Sequence, residues 1–273
     1  MSITKMLKQN ERRLIFLILL ILSILPAFIP TKFPLALGDS TKKLYYYIDQ
    51  LQPGSKILMS FNFAPAGWVE VGDGMEAIVQ HLINKNMKIV FVSFAVTGPP
   101  LVERVFNEIN VGGAKYGVDY VNLGFIPGIE TGMAAFVENP RRYSIDYYGT
   151  SINGLPLMKE INSISDFSAY IFSEMAAPDA EMRQFSGKVP VMACVISPSA
   201  ASLITPWAAS GQLHSYLMGA NGAAQYETLV GIPRGGMALM GATNLTLSFG
   251  IVLMIFGNVI YFYERYKQPK KVT

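Results

Sequence analysis

Residues 56–95 read KILMSFNFAPAGWVEVGDGMEAIVQHLINKNMKIVFVSFA. Two nearly continuous apolar runs, Lys56–Phe63 and Met87–Ala95, flank a segment of different period. Between them Met75, Ile78, Val79, Leu82 and Ile83 recur at three- and four-residue spacing, which predicts a helix over 74–86. A strand that is apolar along its whole length is buried on both faces, and two such strands joined through a helix run parallel. The unit is strand–helix–strand, with a long loop, 62–73, ahead of the helix.

The alternation continues outward. PPLVERVFNEINV (99–111) predicts an amphipathic helix with proline in its first turn. Asp119–Phe125 reads as a third strand, followed by GIETGMAAFVEN (128–139). Asp166–Ser173 is a fourth, after the weakly patterned SINGLPLMKEINSI (151–164), and Pro190–Ser197 a fifth. DSTKKLYYYIDQL (39–51) predicts an amphipathic helix leading away from the membrane. The fold expected is α/β: an open, mostly parallel, Rossmann-like sheet flanked by helices, with one transmembrane helix at each end.

The end helices follow from composition. The chain is 51% hydrophobic and only 15% charged, and the excess lies at its two ends. Leu14–Ile29 is apolar except for Ser23 and Pro26, behind a basic head with Lys5, Lys8, Arg12 and Arg13. Thr243–Tyr263 holds no charge. About 20 apolar residues cross a bilayer core, and the second run meets that length. The first also fits a signal peptide, but Phe28, Ile29, Pro30 and Phe33 offer no small-x-small cleavage site, so an uncleaved anchor is expected.

Arg265, Lys267, Lys270 and Lys271 follow the second span, against Arg234 close before it and Lys32, Lys42 and Lys43 after the first. The balance puts both termini in the cytoplasm and the central domain outside. The expected division is a head and span over 1–30, an extracytoplasmic α/β domain over 31–232, a Gly-rich linker over 233–242, a span over 243–263 and a basic tail over 264–273. The glycines of that linker either make it flexible or let backbones approach closely. Between the basic flanks there are 14 basic and 17 acidic residues, so the overall +3 gives no argument for a nucleic-acid partner. Cys194, the only cysteine, lies in the apolar run VMACVI and reads as a buried thiol.

In a sheet of this class a ligand sits outside the carboxyl ends of the strands. The loops there give the candidate ligand-binding residues Asn62, Trp68, Asp73, Glu174, Ser197 and Ser199. A pocket lined by Asn62, Trp68 and Asp73 would indicate a receptor for a small solute; a flat apolar surface would indicate assembly. Glu70, Asp73 and Glu76 gather near one loop–helix junction, where acidic side chains also complement the helix dipole.

Ser199 opens the string SAAS between a strand and an alanine-rich helix. This resembles the nucleophile region of Clp-type and signal-peptide-peptidase-type serine proteases, over about fifteen residues, and the resemblance implies a nucleophilic Ser199. The chain departs from it in lacking a glycine-rich oxyanion loop after the first strand and in placing neither His81 nor His214 near Ser199, while Lys159 stays open as a base. Ser197 and Ser199 read equally as a turn and helix cap, and no catalytic residue is assigned. Phosphate-binding glycine motifs are missing, and two histidines and one cysteine are too few and too scattered for zinc. No cofactor and no metal are expected. YGVDYVNLGFIPG (116–128) and SGQLHSYLMGANGAAQYETLVGIPRGGMALMG (210–241) are similar to segments of uncharacterised bacterial and archaeal membrane proteins; the likeness implies no activity. GQLHSYLMGANGAAQYE (211–227) reads as a packed helix–turn–helix above the bilayer.

In the second span Ala242, Thr246 and Gly250 recur every four residues, and Gly236, Thr243, Gly250 and Gly257 every seven. Small residues on one face let membrane helices pack closely. With Asn258, and Asn244 beside them, they form the expected helix-packing surface. The function expected is a non-catalytic subunit of a membrane complex, its partners the lipid bilayer and other membrane helices, homo- or hetero-oligomeric. The alternatives are an extracytoplasmic ligand-binding module and a serine hydrolase using Ser199.

Overall fold

The computed structural model describes residues 3–29 and 35–267. Lys32, Lys270, Lys271, Pro30 and Phe33, which enter the orientation and cleavage arguments, lie outside the described residues. The chain divides into two units, Pro34–Gly236 and the two terminal segments together.

The larger unit is built on β1 (Lys56–Phe61), β2 (Lys88–Ser93), β3 (Tyr120–Phe125), β4 (Ala169–Glu174), β5 (Val191–Ile196) and β6 (Ser215–Met218). All pair parallel, in the order β3-β2-β1-β4-β5-β6. The helices, in chain order, are α1 (Ile3–Phe28), α2 (Asp39–Gln50), α3 (Asp73–Asn84), α4 (Gly98–Glu108), α5 (Glu130–Glu138), α6 (Pro156–Lys159), α7 (Asp179–Phe185), α8 (Thr205–Ala209), α9 (Gly219–Val230) and α10 (Gly235–Lys267).

Burial on both faces explains the near-continuous apolar strands. Ile57, Met59 and Phe61 of β1 pack with residues of α2, α3, α4 and α9, whereas Leu58 joins Phe136, Leu157 and Phe185 on the opposite face. Two cores thus sandwich one sheet, as parallel pairing requires. Cys194 is free and fully buried in the second of them, and burial pushes its thiol pKa up.

The five expected strands are present. Four are one or two residues shorter at their ends, and the fourth starts three residues later than expected, at Ala169, and ends one later, at Glu174, because Ile164–Asp166 forms a 3-10 turn. The sixth is a correction: residues 211–227 are not helix–turn–helix, because Ser215–Met218 is strand and only Gly219–Val230 is helix. Ser215 and Leu217 point inward and alternate with more exposed neighbours, a period of two compressed into four residues. Gly219 then turns the chain at φ +54°, and a Cβ there would lie 2.5 Å from Pro198 Cγ, so only glycine fits the reversal.

In the terminal segments, the first apolar run is helical within α1. α10 is long and apolar enough to cross a membrane over Gly235–Tyr263, at a mean hydropathy of 2.0, and its most apolar 18-residue window holds no buried residue. Helix begins at Gly235, inside the segment expected as linker.

Candidate functional site

The strand order reverses between β1 and β4, so the crevice a ligand would use lies at their carboxyl ends. Asn62 leaves β1 there. Its Nδ2 donates to Glu181 Oε1 at 3.1 Å and to Ser60 Oγ at 3.2 Å, and its Oδ1 accepts from the Phe94 N–H at 3.0 Å. Asn62 therefore ties β1 to β2 and to the first turn of α7. Its backbone N–H donates to Ser173 Oγ at 3.2 Å.

Glu174, the last residue of β4, shares a hydrogen bond with Glu181. Burial, and then the neighbouring Glu181 charge, push the Glu174 carboxyl up to about 10. Burial raises Glu181 as well, while bonds from Glu174 and Asn62 favour its charged form. Two carboxyls this close ionise one at a time, so Glu174 holds the proton and Glu181 accepts it.

One strand over, Ser197 follows β5. It is fully buried, and its Oγ donates to Glu70 Oε2. It also caps the 3-10 turn Pro198–Ile204, accepting from the Ser199 N–H, and its Oγ is 2.7 Å from Ser199 Oγ. The cap role expected for this pair thus belongs to Ser197, while Ser199 is exposed on the turn.

Neither histidine reaches Ser199. His81 lies in α3 with Nδ1 2.9 Å from Tyr226 Oη and its ring stacked on Tyr45 at 4.7 Å; burial pulls its pKa down to about 4. His214, expected on a helical segment, instead immediately precedes β6, where Nδ1 accepts from the Met192 N–H at 3.1 Å. Met192 is five residues before Ser197 along β5, about 16 Å at strand rise. Lys159 ends α6 beside Glu160, which pairs with Lys56 and Lys88 at the starts of β1 and β2, so it lies at the opposite end of the sheet. Ser199 connects to one acid–base group, Glu70, through the Ser197 hydroxyl.

Trp68 and Asp73 are not part of this crevice. The indole is buried against Phe63, and its Nε1 donates to Asp73 Oδ1 at 3.0 Å. Arg104 lies over the ring at 3.7 Å from its centroid. The three acidic residues near the start of α3 diverge: Glu70 to Ser197, Asp73 to Trp68, and Glu76 to Arg234. Burial pushes Asp73 up, against the lowering effect of the Trp68 bond.

That last partner heads a network sequence reasoning missed. Arg234 Nη1 pairs with Glu76 Oε1 and donates to the Glu108 carbonyl at 3.1 Å, while Nη2 donates to Gln80 Oε1 at 3.0 Å. Glu227, fully buried, accepts from the Arg234 and Gly236 N–H groups, each at 2.8 Å. The available signal was Arg234 itself, a lone cation in a charge-free, glycine-rich stretch. Glu181 carried no comparable mark.

Cavities formed by described residues include one of about 380 Å³ lined by Ile83, Met87, Asn110 and Asp119 and one of about 430 Å³ lined by Ile204, Tyr216 and Met218. Neither is lined by Asn62, Trp68 or Asp73. Among the described residues no group of three or more His, Cys, Asp or Glu is arranged to hold a metal ion.

On α10, Ala242, Thr243, Thr246, Gly250, Gly257 and Asn258 fall within about 160° of the helix circumference at 3.6 residues per turn. Gly250 and Gly257 face open space. Thr243, Thr246 and Asn258 bond the carbonyls of Leu239, Ala242 and Met254 one turn back, each at 2.8 Å, so these donors are satisfied within their own helix. Comparison with family models, with curated proteins and with solved structures finds no match, and the fold and the site rest on geometry alone.

Proposed function

We propose that this chain is a membrane-anchored, non-catalytic α/β subunit of a membrane complex, assembling through α10 and its globular domain. α1 is its second, uncleaved anchor, both termini are cytoplasmic, and the globule is extracytoplasmic. The carrying observation is the uncovered apolar surface of α10 with its open glycines; a long apolar face exposed in an isolated chain is covered by lipid or by another helix. One further fact agrees. Both Asn62 Nδ2 hydrogens and the Ser197 hydroxyl are engaged by other protein groups at the strand ends.

Gly250→Leu tests the assembly. A Cβ at Gly250 meets nothing within 4 Å, so the chain's own packing tolerates leucine. The oligomer measured by light scattering in mild detergent should shift toward monomer. Unchanged association removes α10 as the interface.

A further inference from the structure

The globule is polarised along its strands. At their carboxyl ends the connections expose apolar side chains: Val69 after β1 (56% exposed), Val96 after β2 (70%), Ile129 after β3 (68%) and Leu203 after β5 (45%). Ala176 and Ala177 after β4 are exposed as well, and Met218 closes β6 on the same rim. The amino ends carry the lysines: from Lys56 to Gly236 each of them (56, 85, 88, 115, 159 and 188) lies at a strand start or in a segment leading into one. Two arginines stand nearer the carboxyl ends, Arg104 over the Trp68 ring and Arg183 paired with Glu130.

Carboxylates do occur on the apolar rim, but each has a partner. Glu130 makes a two-pronged pair with Arg183 at 2.8 Å per bond, and Asp179 accepts from Trp207 Nε1 at 3.0 Å. Glu70, Asp73, Glu174 and Glu181 are engaged as described above. The rim therefore presents little free charge.

The chain leaves the globule for α10 at this same edge. A Cβ on Gly235 would lie 2.4 Å from Asp73 Oδ1, and one on Gly236 would lie 2.7 Å from the Ala224 nitrogen. Asp73 opens α3, directly after the β1 loop, so the last residues of the globule lie near the carboxyl ends. The apolar run of α10 starts at once, at Gly235. About 20 apolar residues cross a bilayer core, so the chain linking the globule to a span is short.

We infer that the carboxyl-end rim of the sheet rests on the bilayer, with Val69, Val96, Ile129 and Leu203 in the headgroup region of a lipid surface. This rests on α10 being a span. Shallow insertion of apolar loops beside a tether adds burial without ordering new chain, and the pairing of Arg183 with Glu130 leaves that cation no claim on an anionic lipid.

The test uses the full chain in phosphatidylcholine nanodiscs. Cys194 is fully buried, so an environment-sensitive fluorophore attaches only to an introduced thiol. Single variants Val96→Cys, Ile129→Cys, Lys188→Cys and Met254→Cys are compared with and without lipids spin-labelled near the headgroup and along the acyl chain. Val96 and Ile129 probes should be blue-shifted and lose most of their emission to the headgroup quencher, the Lys188 probe should keep its emission, and the Met254 probe should respond to the acyl-chain quencher. A quenched Met254 probe with unquenched Val96 and Ile129 probes overturns the rim contact while leaving the span intact. An unquenched Met254 probe removes the span and the inference with it. Blue-shifted rim probes that no lipid quencher reaches mean that protein, a second copy or another subunit, covers the rim instead, which also overturns it.

Discussion

Replacing Arg234 by methionine should destabilise the globule by about 1–2 kcal/mol at pH 8, because the buried Glu76 carboxyl loses its counter-charge and must take up a proton. The Glu76 side chain is 5% exposed and that of Arg234 is 19% exposed. Burial, its largest influence, outweighs Arg234 and lifts the Glu76 carboxyl to about 7. Without the guanidinium that carboxyl titrates higher still. The deficit has a definite pH dependence: below the ordinary carboxylate pKa of 4.5, Glu76 is neutral in both folded and unfolded chains and the charge penalty disappears. It grows as pH rises through 7. Melting of the full chain in detergent should show a drop of roughly 5 °C at pH 8, clearly smaller at pH 5. Arg234→Met with Glu76→Gln should recover part of the loss, because the stranded charge is gone. A deficit independent of pH would mean that Arg234 acts through packing alone.

Glu174→Gln should have the opposite sign. Glu174 is protonated in the folded chain up to about pH 10 but ionises near 4.5 when unfolded. The stability this gives is fully present below 4.5 and is lost as pH rises toward 10. Glutamine keeps a donor for Glu181 at every pH. The variant should match the parent at pH 4 and exceed it by about 2 kcal/mol at pH 8. That lies below the full value of about 1.4 kcal/mol per pH unit, since the proton is shared with Glu181. Equal melting curves at pH 8 would place the proton elsewhere.

The two strands and helix of 56–95 were legible because burial on both faces and a helical stripe leave different periods. β6 was not: four residues between glycines and small side chains carry too short a pattern to separate from a helix. Trp68 read as a loop residue available to a ligand. Its ring is buried because Gly72 leaves it room, a Cβ there lying 2.4 Å from the indole Cδ2, and sequence spacing does not reveal that contact. The strand-end location of Asn62, Glu174 and Ser197 followed from fold class. Their partners did not, since Glu70 and Ser197 are 127 residues apart and meet only through the strand order. Arg234 is visible in the sequence as an isolated charge that bears on orientation; its place in a buried network depends on Glu76 and Glu227, 158 and 7 residues away.

The central claim is that the globule is held outside the cytoplasm by its membrane anchors. Ser151 is exposed, and Cys194 is shielded. A membrane-impermeant maleimide applied to intact cells should therefore label Ser151→Cys as fully as in lysed cells, and leave the parent chain unlabelled. Labelling of Ser151→Cys that occurs only after lysis would contradict the account.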